Sequence, residues 1–202
     1  MIVLGLHFGH GAAAALVADG RVVAAIEEEK LNRIKGYVGF PFQAMEFVLE
    51  CGDVSLDEVN YVALGVVDVA EFSSNFAHLI RVVFRCDGVW TKVVGYALDF
   101  LQSTFYKWDS SKALERLFFY YLQKKANSPK SKVIKVDHHT AHAASAFYTA
   151  PWRSAVVLTA DGKGDGACGG AFAADSDGLK LLDRVSDRFS VGQFYQAVTR
   201  FL

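Results

Sequence analysis

The chain has 202 residues, 52% of them apolar, which is enough to bury a core and excludes a disordered tail. Its 21 basic and 22 acidic residues are interspersed and leave a formal net charge of −1, so nucleic acid finds no electrostatic footprint and is not an expected partner. Cys51, Cys86 and Cys168 are too far apart for a disulfide framework or a zinc ribbon and predict a reducing, cytoplasmic setting; no apolar run approaches the roughly 20 residues of a membrane span.

Ile2 to Leu6 reads as a central strand, with His7-Phe8-Gly9-His10-Gly11 a loop at its carboxyl end. Basic residues are missing before the apolar start, so it is not a signal peptide. Ala12 to Ala18 and Arg21 to Glu27 form two strands around Asp19-Gly20, a hairpin dipeptide. Glu27, Glu28 and Glu29 read as a strand end with solvent-facing charge. Phe40-Pro41-Phe42 opens a helix that runs to about Cys51, where Gly52 ends it, and Tyr61 to Leu64 is a further strand. Residues about 66–128 are rich in aromatics, among them Phe72, Trp90, Tyr96, Trp108 and Phe118, and read as helices with a local core of their own.

Val133 to Val136 is a strand that leads into Asp137-His138-His139-Thr140-Ala141-His142, which holds three of the chain's six histidines. Residues i and i+4 share a helix face, so a helix starting near Asp137 projects His138 and His142 together, able to bind one cation, while His139 points elsewhere. Asp137 is the expected N-cap, and the alanines predict a short, buried helix. Two histidines do not complete a metal site, and Asp161 is the nearest candidate for a third ligand. Ala155 to Thr159 reads as a buried parallel strand, and its carboxyl end is where open α/β sheets place ligands. Asp161 would otherwise reach a metal-bound phosphate through water. Asp161-Gly162-Lys163-Gly164-Asp165-Gly166 then reads as a phosphate loop whose glycines let backbone amides approach an anion, with an ordinary surface hairpin as the alternative. Gly169 to Ala174 and Leu179 to Val185 form another hairpin. Ser190 caps a final apolar helix that is still running at Leu202, which predicts a longer parent sequence.

A β-β-β opening with a glycine loop, a helical insertion and a second strand-loop-hairpin is similar to the pseudo-duplicated ATPase fold of actin, sugar kinases and heat-shock chaperones, a ribonuclease-H-like α/β fold. The resemblance implies a first lobe over residues 1–150 and the start of a second, truncated lobe over 151–202. It also makes Gly9, Gly11, Gly162, Gly164 and Asp165 the expected nucleotide contacts. More specifically, Leu4 to His10, Ala24 to Lys35, Asp137 to Tyr148 and Leu158 to Asp165 resemble the amino-terminal part of the O-carbamoyltransferases of nodulation-factor and antibiotic biosynthesis.

That resemblance implies an enzyme that makes carbamoyladenylate from carbamoyl phosphate and ATP and passes the carbamoyl group to a hydroxyl of a sugar or natural product. It implies His138, His142 and Asp161 as metal ligands, with a last Asp beyond Leu202, and iron(II) as the metal, zinc or manganese being the alternatives. His10 is then a candidate base or carbamoyl contact and Lys35 an anion contact. The family pattern has Asp where this chain has Gly11, and His where it has Gly36. Two other readings use the same fold: a non-catalytic nucleotide- or metal-binding module, and a tRNA threonylcarbamoyl-transfer protein, whose Glu-Gly before the second His is replaced here by Thr140-Ala141. Apolar surface on an unfinished lobe predicts self-association, a homodimer being the simplest form.

Overall fold

The computed structural model describes residues 1–7, 9–65 and 132–201; the expected aromatic insertion at about 66–128 lies outside the described residues. In chain order the first part contains β1 (Ile2–His7), β2 (Gly9–His10), β3 (Ala13–Ala18), β4 (Arg21–Glu27), α1 (Glu28–Asn32), β5 (Val38–Gly39), α2 (Phe42–Cys51), β6 (Tyr61–Leu64) and β7 (Lys132–Lys135). The second contains α3 (His138–Tyr148), β8 (Ala155–Gly164), β9 (Ala167–Asp175), β10 (Gly178–Ser186) and α4 (Val191–Phe201). Among the described residues these make two compact units, the first of residues up to Leu64 with the chain to Ile134, the second of Gly65 with the chain from Lys135 onward. No helix among the described residues is long and apolar enough to cross a membrane.

The fold is mixed α/β, and the first unit is built on a five-stranded sheet of order β4-β3-β1-β6-β7. β1 is antiparallel to β3 (Leu4↔Leu16) and parallel to β6 (Leu4↔Val62), while β3 and β4 form the antiparallel hairpin. Asp19 and Gly20 both have positive φ, 49° and 77°, the backbone that a two-residue hairpin turn needs. Period-2 alternation puts Leu4, Leu6, Ala14 and Leu16 into the core, where Met45 and Val48 of α2 meet them. Each such large side chain contributes about 1.5–3 kcal/mol by leaving water.

Two expectations change in this unit. The stretch 7–11 is not all loop, because Gly9–His10 pairs with Val38–Gly39 as a short antiparallel ladder, and Gly11 turns the chain at φ 70°. Backbone groups that leave the end of β1 need partners, and the returning segment supplies them.

Glu28 is not a solvent-facing charge either: it is 3% exposed. α2 begins after Pro41 with no side-chain cap of its own, and Glu28 caps it from outside, accepting Ala44 N–H at 2.7 Å and Gln43 N–H at 3.2 Å. Burial, and then the Glu28 carboxylate, push the Tyr37 hydroxyl up to about 12. Glu28→Gln swaps an acceptor-only group for one carrying N–H donors against backbone donors, and should cost about 2–3 kcal/mol. Urea unfolding followed by far-UV circular dichroism measures this; a loss below about 0.5 kcal/mol would leave the buried cap without energetic weight.

The second unit differs more from expectation. Ala155–Thr159 is not a buried parallel strand: β8 is the edge of a three-stranded antiparallel sheet of order β10-β9-β8. Val157 is buried, but Val156 is 68% and Leu158 77% exposed, so the apolar run alternates. β8 continues through Asp161, Gly162 and Lys163 to Gly164, with a register shift after Ala160, and the turn to β9 is only Asp165-Gly166, at φ 50° and 76°. The segment read as a phosphate loop is thus mostly strand, closed by a two-residue hairpin turn. α3 is also not buried throughout: His139, Ala143 and Phe147 form its inner stripe, Ala143 and Phe147 packing with Val157 and Phe172, while His142 and Ser145 are exposed.

Candidate metal centre

α3 and β8 bring three sequence-predicted residues to one point. His138 Nε2 lies 2.8 Å from Asp161 Oδ2 and 3.0 Å from His142 Nε2, and His142 Nε2 lies 3.4 Å from the same carboxylate oxygen. Metal–N and metal–O bonds of about 2.0–2.2 Å separate neighbouring ligand atoms of a tetrahedral or octahedral ion by roughly 2.8–3.6 Å. The triangle therefore already has the size of one coordination face, and its two imidazoles and one carboxylate suit iron(II), zinc or manganese. One proton on His138 Nε2 can serve the carboxylate or His142, not both; a cation serves all three lone pairs. His142 is half-exposed, which leaves the site within reach of solvent.

The local sequence explains the convergence. Asp137 caps α3, its Oδ1 accepting Thr140 N–H at 2.9 Å and Thr140 Oγ1–H at 3.1 Å. That places His138 in the first turn and His142 one turn on. His139, on the inner stripe, bonds through Nδ1 to Thr159 Oγ1 at 3.0 Å, and Thr159 donates to the Gly170 carbonyl at 3.3 Å. Its Nε2 is buried with no hydrogen-bond partner among the described residues.

Gly164 lies directly beneath His138: a Cβ there would overlap the imidazole ring. Gly162 has open space around it, and its N–H bonds back to Asp161 Oδ1 at 2.6 Å. The Ser190 hydroxyl, N-cap of α4, donates to the Gly162 carbonyl at 2.7 Å and fixes that end of the helix on β8.

Asp165 bonds the His138 N–H through Oδ2 at 2.8 Å, a protein contact that its position in the glycine stretch did not announce. Arg184, which sequence reasoning did not single out, holds Asp137 at 3.1 Å and the Asp165 carbonyl at 2.5 Å. Gly9, His10, Gly11 and Lys35 belong to the first unit: Gly9 and His10 in the short ladder, Gly11 in the turn after it, and Lys35 exposed beside Gly36.

Two carboxyls here titrate low. Burial favours the protonated form of Asp137, but the Thr140 bonds and the Arg184 charge outweigh it and hold the carboxyl below its ordinary 3.8. Burial acts likewise on Asp161, outweighed by the bonds from His138 and Gly162 and by the imidazole charges. A carboxyl with a lowered folded-state pKa adds stability that is complete above the unfolded value and is lost as pH falls through the folded one. Exchange protection of the first turn of α3 should thus hold from pH 7 to about 5 and fall below about pH 4. A decline already complete at pH 5 would contradict this assignment.

A model of the carbamoyltransferase N-terminus family matches residues 2–202. The chain is 29% identical over 204 residues to the uncharacterized protein sll1178 of Synechocystis, with 98% of this chain and 31% of that one covered. It is 27% identical over 206 residues to nodulation protein NolNO of Sinorhizobium fredii, with 96% and 26% covered. The chain therefore spans less than a third of the length of these curated relatives. Among solved structures, YeaZ from Pseudomonas aeruginosa is similar at 14% identity and a TM-score of 0.43, over 90% of this chain and 64% of that one.

Proposed function

The chain belongs to the carbamoyltransferase amino-terminal family, and on that premise we propose that it is part of an ATP- and metal-dependent enzyme that moves a carbamoyl group from carbamoyladenylate to a hydroxyl of a sugar or natural product. The observation that carries the reading is the convergence of His138, His142 and Asp161 within a chain of this family. These three residues would hold a divalent cation, iron(II) by preference. When bound, the cation supplies a Lewis acid that neutralises the adenylate phosphate and polarises the bond to the leaving group.

The remaining roles fall to other side chains. His10 would take the acceptor's hydroxyl proton as the oxygen attacks the carbamoyl carbon; the carbon–oxygen bond to phosphate breaks, and AMP leaves with the electron pair. Lys35 would pair with an anionic group. On the first unit Gly9 and Gly11 would approach a phosphate through their backbone. ATP and carbamoyl phosphate would supply the carbamoyladenylate elsewhere in the longer protein.

The test is turnover by this chain joined to the carboxyl-terminal part its relatives carry, with ATP, carbamoyl phosphate, iron(II) and polyol acceptors. Carbamoylated acceptor and AMP should form in equal amounts, both lost in His138→Ala. Carbamoyl transfer that survives this substitution would sink the proposed site, and AMP release with no carbamoylated hydroxyl would sink the proposed reaction.

A further inference from the structure

We propose that Arg184 is the positioning residue for His138: its guanidinium ties together the two carboxylate-bearing residues that hold the first turn of α3, and so sets where the His138 ring lies. The inference rests on the metal reading above for its consequence, though not for its geometry. Arg184 sits on β10 opposite Gly170 of β9. One guanidinium nitrogen reaches Asp137 Oδ2 at 3.1 Å, and the other donates to the Asp165 carbonyl at 2.5 Å. Asp137 in turn holds the Thr140 N–H, and Asp165 the His138 N–H. Three separate elements, the N-cap, the β8–β9 turn and β10, thereby close on one helix terminus.

The first amides of a helix have no partner inside it, so the position of its first turn is set by whatever accepts them. His138 occupies that turn, whereas His142 is held by a full turn of backbone on either side. The ring of His138 also rests on Gly164, so a small shift of the terminus moves its Nε2 relative to Asp161. A planar fork with two separated donors can bridge a carboxylate and a carbonyl at once. A lysine ammonium has its three donors on one nitrogen and lacks the reach of two separated ones. A guanidinium has no lone pair to offer a cation, so Arg184 acts through His138.

The 202-residue chain with Arg184→Gln or Arg184→Lys tests this by two readouts: metal-free hydrogen exchange at the backbone amides of α3, and cobalt(II) affinity by competition titration. Exchange at the His138 and Thr140 amides should quicken roughly tenfold while Ala143 to Phe147 stay protected, and cobalt should bind roughly tenfold more weakly. Lysine should fail to rescue either. Unchanged exchange at His138, full rescue by lysine, or faster exchange with wild-type cobalt affinity would each overturn the proposal. Equal acceleration along all of α3 would do so too, since Arg184 would then be a general stability residue. Should either variant fail to fold, Asp165→Asn keeps the carbonyl bond to Arg184 but weakens the hold on the His138 amide; it should quicken exchange there first, and no change would overturn the proposal. A wild-type chain that binds no cobalt would end the metal reading, and the exchange data would still decide the positioning role.

Discussion

Metal content should fall from near one equivalent to background when His138, His142 or Asp161 is replaced by alanine, each alone. The magnitude follows from ligand number. Three protein donors define one face of a coordination sphere, and removing one leaves two, at distances of 2.8, 3.0 or 3.4 Å depending on which is lost. Two donors hold a first-row divalent ion only weakly against water, so a loss of roughly a hundredfold or more in affinity is expected. His139→Gln is the discriminating comparison: His139 is 1% exposed and bonded to Thr159, so its loss should lower stability yet leave the cation in place. Plasma mass spectrometry on protein purified without chelator reads all four variants. A well-folded wild type with no metal, or metal retained in both His138→Ala and His142→Ala, would make the histidine pair structural.

How far the sequence foretold this arrangement depends on how local each determinant is. The hairpin at Asp19-Gly20, the limits of α2 and the strand Tyr61–Leu64 were readable because alternation, a proline and a glycine act within a few residues. The His138–His142 pairing was readable for the same reason, since helix periodicity alone puts i and i+4 together. β8 was misread because an apolar run looks alike in a central strand and in an edge strand; only pairing decides, and pairing is not local. Glu28 was misread because three consecutive glutamates suggest solvent, whereas the uncapped amides of α2 that capture it lie 15 and 16 residues away. Arg184 had no signal at all: its meeting with Asp137 depends on the register of β10 on β9.

Gly164→Ala should weaken the candidate metal centre although it removes no ligand. Gly164 carries two incompatible explanations, and the substitution separates them. As part of a phosphate cradle, it would be glycine so that its backbone could approach an anion, and Gly162 would be glycine for the same reason. In the structure the two differ. A methyl group on Gly162 meets open space, whereas one on Gly164 overlaps the His138 ring. That ring cannot swing aside freely, because its Nε2 is held between Asp161 and His142. The added methyl must therefore displace either the ring or the strand, at about 1–3 kcal/mol in stability, and in both cases His138 leaves Asp161. Cobalt affinity should fall at least roughly tenfold in Gly164→Ala, with the far-UV spectrum preserved. Gly162→Ala should keep its affinity for the cation, whatever it does to nucleotide binding. Cobalt affinity in Gly164→Ala no lower than in Gly162→Ala would rule out this steric role, because only the Gly164 methyl meets the His138 ring.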